Sequence, residues 1–169
     1  VSVFLQPIYT QTVGAGGTTL ITFNNIPQTF TDLLVVVSAR TAFAANYQYI
    51  QVLFNNNSSS YSATSLYGSG SAVSTNRNAQ IEAGAVSANA TSNTFSNVSI
   101  YIPNYTSSNF KSYIADGVAE NNSTAGYDSF TAGLWSNTST ITRVDVSGAG
   151  QTIVQNSTAT LYGVLRQGV

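Results

Sequence analysis

Thr18–Thr41, TTLITFNNIPQTFTDLLVVVSART, holds two apolar runs joined by a turn-rich connector and shows no helical period. The first run, Leu20–Phe23, stops at Asn24-Asn25, and Pro27 withdraws a backbone donor just beyond it. The second, Leu33-Leu34-Val35-Val36-Val37, is the most apolar segment of the chain and reads as a strand covered on both faces. Ile26–Asp32, between the two, reads as a corner that feeds this strand.

Working outward, the same strand grammar continues. Before the stretch, Val3–Val13 is a strand candidate broken or edged at Pro7, and Gly14-Ala15-Gly16-Gly17 makes a tight turn. After it, Tyr47–Phe54 places Ile50, Val52 and Phe54 on one face and Tyr49 and Gln51 on the other. Asn55–Ser60 is a polar loop, and Tyr61–Tyr67 is a weaker strand. The Gly, Ser, Ala and Asn of Gly68–Asn78 predict an exposed loop. Gln80–Val86 predicts a short edge strand, and Thr94–Ile102 turns Val98, Ile100 and Ile102 inward. Phe110–Ala119 and Tyr127–Trp135 follow, joined by a turn at Asn121–Gly126, with Phe130, Ala132 and Leu134 sharing a face. Ile141–Val146 sends Val144 and Val146 in and Arg143 and Asp145 out, and Thr158–Leu165 closes the chain. About ten strand candidates at this cadence predict an all-β, jelly-roll-like antiparallel β-sandwich. Residues 1–17 read as an N-terminal strand or arm with a Gly-rich hinge, and residues 18–169 as a single sandwich domain.

Charged residues are only 7% of the chain, against roughly 25% in an ordinary domain, so something else must wet the surface. Ser, Thr and Asn do so: together they are 61 of the 169 residues. With 10 Tyr and 8 Phe beside the aliphatic strands, the chain has enough apolar material to pack rather than stay disordered. The net charge of −1, with no basic cluster, excludes the cationic density that nucleic acid requires. No stretch of about 18 apolar residues is present, so no membrane partner is expected.

With no His and no Cys, the commonest general base, the commonest metal ligand and the best thiol nucleophile are missing. A pair of carboxylates can still hydrolyse a glycoside, and Asp32, Glu82, Asp116, Glu120, Asp128 and Asp145 are the candidates. Asp116 and Glu120 stand about 13 Å apart on an extended strand. That is wider than the roughly 5–9.5 Å the mechanism uses. Asp116 with Asp128 across a hairpin is the pairing left open, and solvated surface roles are the expectation for both. No calcium-loop pattern occurs, and the Gly14–Gly17 turn lacks the Lys and helix of a phosphate loop. No cofactor, no metal and no catalysis are expected. The Asn-x-Ser/Thr triplets at Asn97, Asn104 and Asn137 follow from composition. Tyr67, Tyr101, Tyr105 and Trp135, with Tyr113 and Tyr127 beside them, are candidate exposed-loop or interface aromatics, for core packing, a subunit contact or stacking on sugar.

Three segments carry a resemblance: Ile26-Pro27-Gln28-Thr29-Phe30-Thr31-Asp32-Leu33; Ala132-Gly133-Leu134-Trp135-Ser136-Asn137-Thr138-Ser139-Thr140-Ile141-Thr142; and Ala159-Thr160-Leu161-Tyr162-Gly163. In this order they resemble a family of virion structural proteins of tailed bacteriophages, including phages of cyanobacteria and marine bacteria. The resemblance implies a β-sandwich displayed on the virion. Without a fibrous extension, the chain is most like a capsid decoration (cement) protein on the outer surface of the head. The implied partners are the major capsid protein and further copies of the chain, as a homotrimer. The N-terminal strand, with Val3, Phe4, Leu5, Ile8 and Tyr9, becomes the candidate capsid-contacting arm. The alternative is a receptor-binding or adhesin domain of a tail or fibre protein, gripping host-surface glycan with loops such as Asn55–Ser60 and Gly68–Asn78.

Overall fold

Apolar residues that alternate with Ser, Thr and Asn favour strands, where every second side chain is buried. The computed structural model describes residues 3–45, 47–120, 122 and 126–166. Among these residues, twelve strands form two antiparallel sheets packed as a jelly-roll-like sandwich. In chain order they are β1 (Val3–Thr12), β2 (Leu20–Phe23), β3 (Asp32–Ser38), β4 (Tyr47–Phe54), β5 (Tyr61–Gly68) and β6 (Val73–Asn78). There follow β7 (Ile81–Val86), β8 (Asn97–Pro103), β9 (Lys111–Ala119), β10 (Tyr127–Trp135), β11 (Val144–Ser147) and β12 (Thr158–Arg166). The eight-stranded sheet runs β1-β12-β3-β8-β9-β10-β5-β6, and the four-stranded sheet runs β2-β11-β4-β7.

The opening stretch joins the two sheets. β2 lies at an edge of the small sheet, while β3 is central in the large one. Leu33, Val35 and Val37 are fully buried against the core, but Leu34 and Val36 on the other face are only half-buried. The expectation of a strand covered on both faces therefore holds for one face, because no second layer among the described residues lies over the outside of the large sheet. The corner is pinned from several sides. Ile26 N–H donates to the Thr142 carbonyl (3.0 Å), and Gln28 Nε2 donates to the carbonyls of Ile26 (2.8 Å) and Ile141 (3.1 Å). The Tyr105 hydroxyl donates to the Pro27 carbonyl. Buried Asp32 accepts from Asn104 N–H (2.9 Å) and from the Tyr101 hydroxyl.

Two expectations are corrected in the outer parts of the sheets. Gly68–Asn78 is not all loop: Val73–Asn78 forms β6, paired with β5 from Ala63↔Asn78 to Gly68↔Val73. Its polar sequence hid it, since an edge strand with exposed faces needs little apolar content. Asp145 is outward by strand parity yet only 1% exposed. Arg143 folds over it, with Nε 2.9 and 2.8 Å from the two carboxylate oxygens, and Thr22 Oγ1 donates at 2.6 Å.

On β10 the inward set is Thr131, Gly133 and Trp135, while Phe130 and Ala132 are exposed and Leu134 is half-buried. Polar residues face in here because the backbone edge of β7 meets this face. Ser129 Oγ accepts from Gly84 N–H (2.9 Å), and Thr131 Oγ1 donates to the Glu82 carbonyl (2.9 Å). β1 is an edge strand of its own chain's sheet, paired with β12 from Val3↔Arg166 to Thr12↔Thr158, with a register shift between Pro7 and Tyr9. The turn expected at Asn121–Gly126 falls largely outside the described residues.

Candidate functional site

Burial sorts the aromatic candidates. Trp135 and Tyr105 are both 0% exposed, so neither ring is offered to a ligand or partner. The Trp135 ring stacks on Tyr61 at 6.1 Å and meets Phe54 edge-on at 5.5 Å. Buried Lys111 lies over it, Nζ 5.9 Å from the ring, donating to the carbonyls of Asn109 (2.7 Å), Ser139 (2.7 Å) and Asn137 (3.3 Å). Desolvation lowers the Lys111 pKa. These rings are core because the inward parity of β10 and the corner at Pro27 claim them; sequence alternation around polar Thr131 and Gly133 does not reveal that. Tyr113 is likewise buried, and half-buried Tyr101 is engaged with Asp32.

Tyr67 and Tyr127 belong instead to a tyrosine cluster where the large sheet overhangs the small one. Tyr47 stacks on Tyr127 at 4.5 Å and 22°, and packs edge-on against Tyr49 at 5.4 Å. The Tyr47 and Tyr49 hydroxyls hydrogen-bond at 2.8 Å. Tyr67, with Gly68, Gly84, Asp128 and Ser129, completes a narrow cleft around them. Burial, then the bond to Tyr47, raises the Tyr49 pKa, and desolvation raises that of neighbouring Glu82. Tyr49 was legible only as part of the outward face of β4, and Tyr47 only as the start of that strand; the Tyr-x-Tyr alternation is the signal that could have marked them.

The second feature is the outer face of the large sheet. Cross-strand register aligns Val118, Asp128, Gly68 and Val73 in one row, and Asp116, Phe130, Leu66 and Thr75 in the next. Leu66, Val73, Val118 and Phe130 are 48, 72, 55 and 47% exposed. Ile114, further along β9, is 46% exposed. These rows, short of Thr75, line a groove of about 310 Å³, and Asp116 and Asp128 are its carboxylates. This hairpin does bring those two carboxylates to one face, with Ser99 Oγ donating to Asp116. Both stand exposed, without the apolar enclosure by which a glycosidase tunes its acid. Among the described residues, no three His, Cys, Asp or Glu side chains converge to hold a metal.

The arm candidates lie on β1. Phe4, Leu5 and Tyr9 are 56, 48 and 39% exposed, while Ile8 packs on the core and Tyr9 also stacks over Phe23 at 6.2 Å. Val3 is placed by its backbone pairing with Arg166. No protein-family model matches the chain, and no curated protein is significantly similar to it.

Proposed function

We propose that the protein is a non-enzymatic structural component of a tailed-phage virion, a capsid decoration protein that binds the major capsid protein on the outside of the head. The observation that carries this reading is the outer sheet face. Leu66, Val73, Ile114, Val118 and Phe130 stand about half exposed or more on one sheet face. Monomeric proteins rarely leave contiguous apolar patches larger than a few hundred Å² bare, so such a face is suited to docking. The resemblance of the Ile26–Leu33, Ala132–Thr142 and Ala159–Gly163 segments supports the setting. Phe4 and Leu5 on β1 add a second apolar edge that a shell subunit can cover.

The mechanism is linkage. A protein that binds the assembled shell and not its separated subunits shifts the equilibrium toward the shell. Many copies on one particle add avidity without any single tight contact. The test is the particle lacking this protein, challenged by heat and osmotic shock. Loss of resistance is expected; particles that stay robust but fail to adsorb to cells would overturn the reading.

That second outcome belongs to the alternative, a domain that recognises host-surface glycan. The tyrosine cluster is the observation in its favour, because half-buried rings edged by Asp128 and Ser129 combine an apolar body with polar groups that suit a sugar. Hundreds of copies per purified particle support the shell; a handful supports a tail or fibre.

A further inference from the structure

We propose that Tyr47 and Tyr127 form an oxidative cross-linking site. A diffusible one-electron oxidant joins their rings by a carbon–carbon bond, which staples the small sheet to the large one. Composition directs oxidation to tyrosine. The chain has no Cys, Met or His, and one Trp against ten Tyr. Thiols and thioethers, the usual targets of oxidants, are therefore missing. The single Trp, Trp135, is fully buried. The same lack of Cys leaves no disulfide to tie one sheet to the other.

Among the described residues, two pairs of tyrosine rings meet, and both include Tyr47. Against Tyr49 the planes stand at 79°, edge to face. Against Tyr127 they stack, with centroids 4.5 Å apart and planes within 22°. The unpaired electron of a tyrosyl radical occupies π lobes perpendicular to the ring, on the oxygen and on the carbons ortho and para to it. Coupling needs those lobes to face each other, which stacking provides and an edge-on contact does not. Tyr127 is held in place by packing on Val86, Ala90 and Ala119, and Val86 is the register partner of Tyr47. Both rings are half-buried, so a small oxidant reaches them. Their fixed proximity gives coupling within one chain a large advantage over encounter with a second chain.

Two equivalents of oxidant take one electron from each phenol, and each phenol releases its O–H proton to water. The two radicals then couple through one Cε of each ring, the carbon ortho to the hydroxyl. Each joined Cε gives up its hydrogen as a proton while each oxygen takes one up, so both phenols are restored. The chain loses two hydrogen atoms, and the oxidant gains two electrons. The new bond ties β4 to β10, strands of different sheets. It closes the long loop between them, which restricts the unfolded chain as a disulfide would.

The test exposes the purified chain, kept dilute, to a light-driven one-electron oxidant (a ruthenium polypyridyl sensitiser with persulfate). Wild type, Tyr47→Phe and Tyr127→Phe are compared, since phenylalanine keeps a ring in the stack but has no phenol to oxidise. Wild type should give a monomer lighter by two hydrogen atoms, with the blue fluorescence of a biphenol. Trypsin should leave the peptides Thr41–Arg77 and Ser112–Arg143 joined, and fragmentation should place the link at Tyr47 and Tyr127. The cross-linked monomer should unfold about 10 °C higher than the untreated one. Both variants should lose the link. A bond from Tyr47 to Tyr49, bonds only between chains, or a link that survives in either variant would overturn the proposal. So would a cross-linked monomer that melts no higher than the untreated chain.

Discussion

Tyr113 and Gly133 face each other across β9 and β10, and the pair depends on what glycine lacks. A Cβ at Gly133 would collide with the Tyr113 hydroxyl oxygen and stand 2.7 Å from the Ser62 carbonyl oxygen. The space bought by glycine admits the ring, but the hydroxyl is buried with no hydrogen-bond partner among the described residues, as is Trp135 Nε1. An unpaired buried polar group costs about 1–3 kcal/mol. Tyr113→Phe removes that group and keeps the ring, so it should stabilise the protein by about 1 kcal/mol. Thermal unfolding should register this as a rise of about 2–4 °C. A fall instead would mean that the hydroxyl has a partner in solution. Gly133→Ala should act in the opposite direction, by about 1–3 kcal/mol of overpacking.

Strand by strand, the sequence was most legible where alternation and burial coincide. On β8, Val98, Ile100 and Ile102 are all 0% exposed, as their period of two requires. It was least legible where a polar residue does core work. Asp145 on β11 sits between β2 and β4, 1% exposed, held by Arg143 and Thr22. Parity sends it outward, and only the fold of Arg143 over it explains the burial. Removing one member of a buried pair leaves the other uncompensated, a loss of about 3–5 kcal/mol when both are fully enclosed. The Arg143 side chain is 32% exposed, so water softens the loss. Asp145→Ala should lower stability by about 2–3 kcal/mol, read as a lower urea midpoint at unchanged slope. β10 gives the same lesson at the candidate site: Phe130 and Leu66 form an outer apolar row because Ser129 and Thr131 are committed to β7.

At the scale of the whole molecule, neutral polar residues supply the surface, and Tyr61, Tyr105 and Tyr113 carry phenol groups into the interior. Burial raises the pKa of Tyr49, Tyr61 and Tyr113. Above about pH 10 the unfolded chain loses these protons while the folded chain keeps them, so the unfolded state binds fewer protons and stability falls as pH rises. Lys111, its pKa lowered by desolvation, works the other way: below its unfolded value near 10.5 the unfolded chain holds the proton more tightly, so its contribution rises with pH. Several tyrosines against one lysine make the net direction downward. A melting temperature that is level around neutrality and drops beyond pH 10 is the expected profile; a level profile to pH 11 would contradict the burial of these hydroxyls.

Composition and period by themselves determined an all-β chain without thiol or imidazole chemistry, the inward faces of β4 and β8, and the corner between β2 and β3. Each is a local property, set by which side chains alternate and where Asn, Gly and Pro interrupt them. The tertiary structure decided the rest: Tyr47 against Tyr127, Trp135 in the core, Asp116 beside Asp128 on an open apolar face, and β6 as an edge strand of the large sheet. Those depend on register between strands far apart in the chain and on where one sheet overhangs the other, and a slip of one residue would reverse every face.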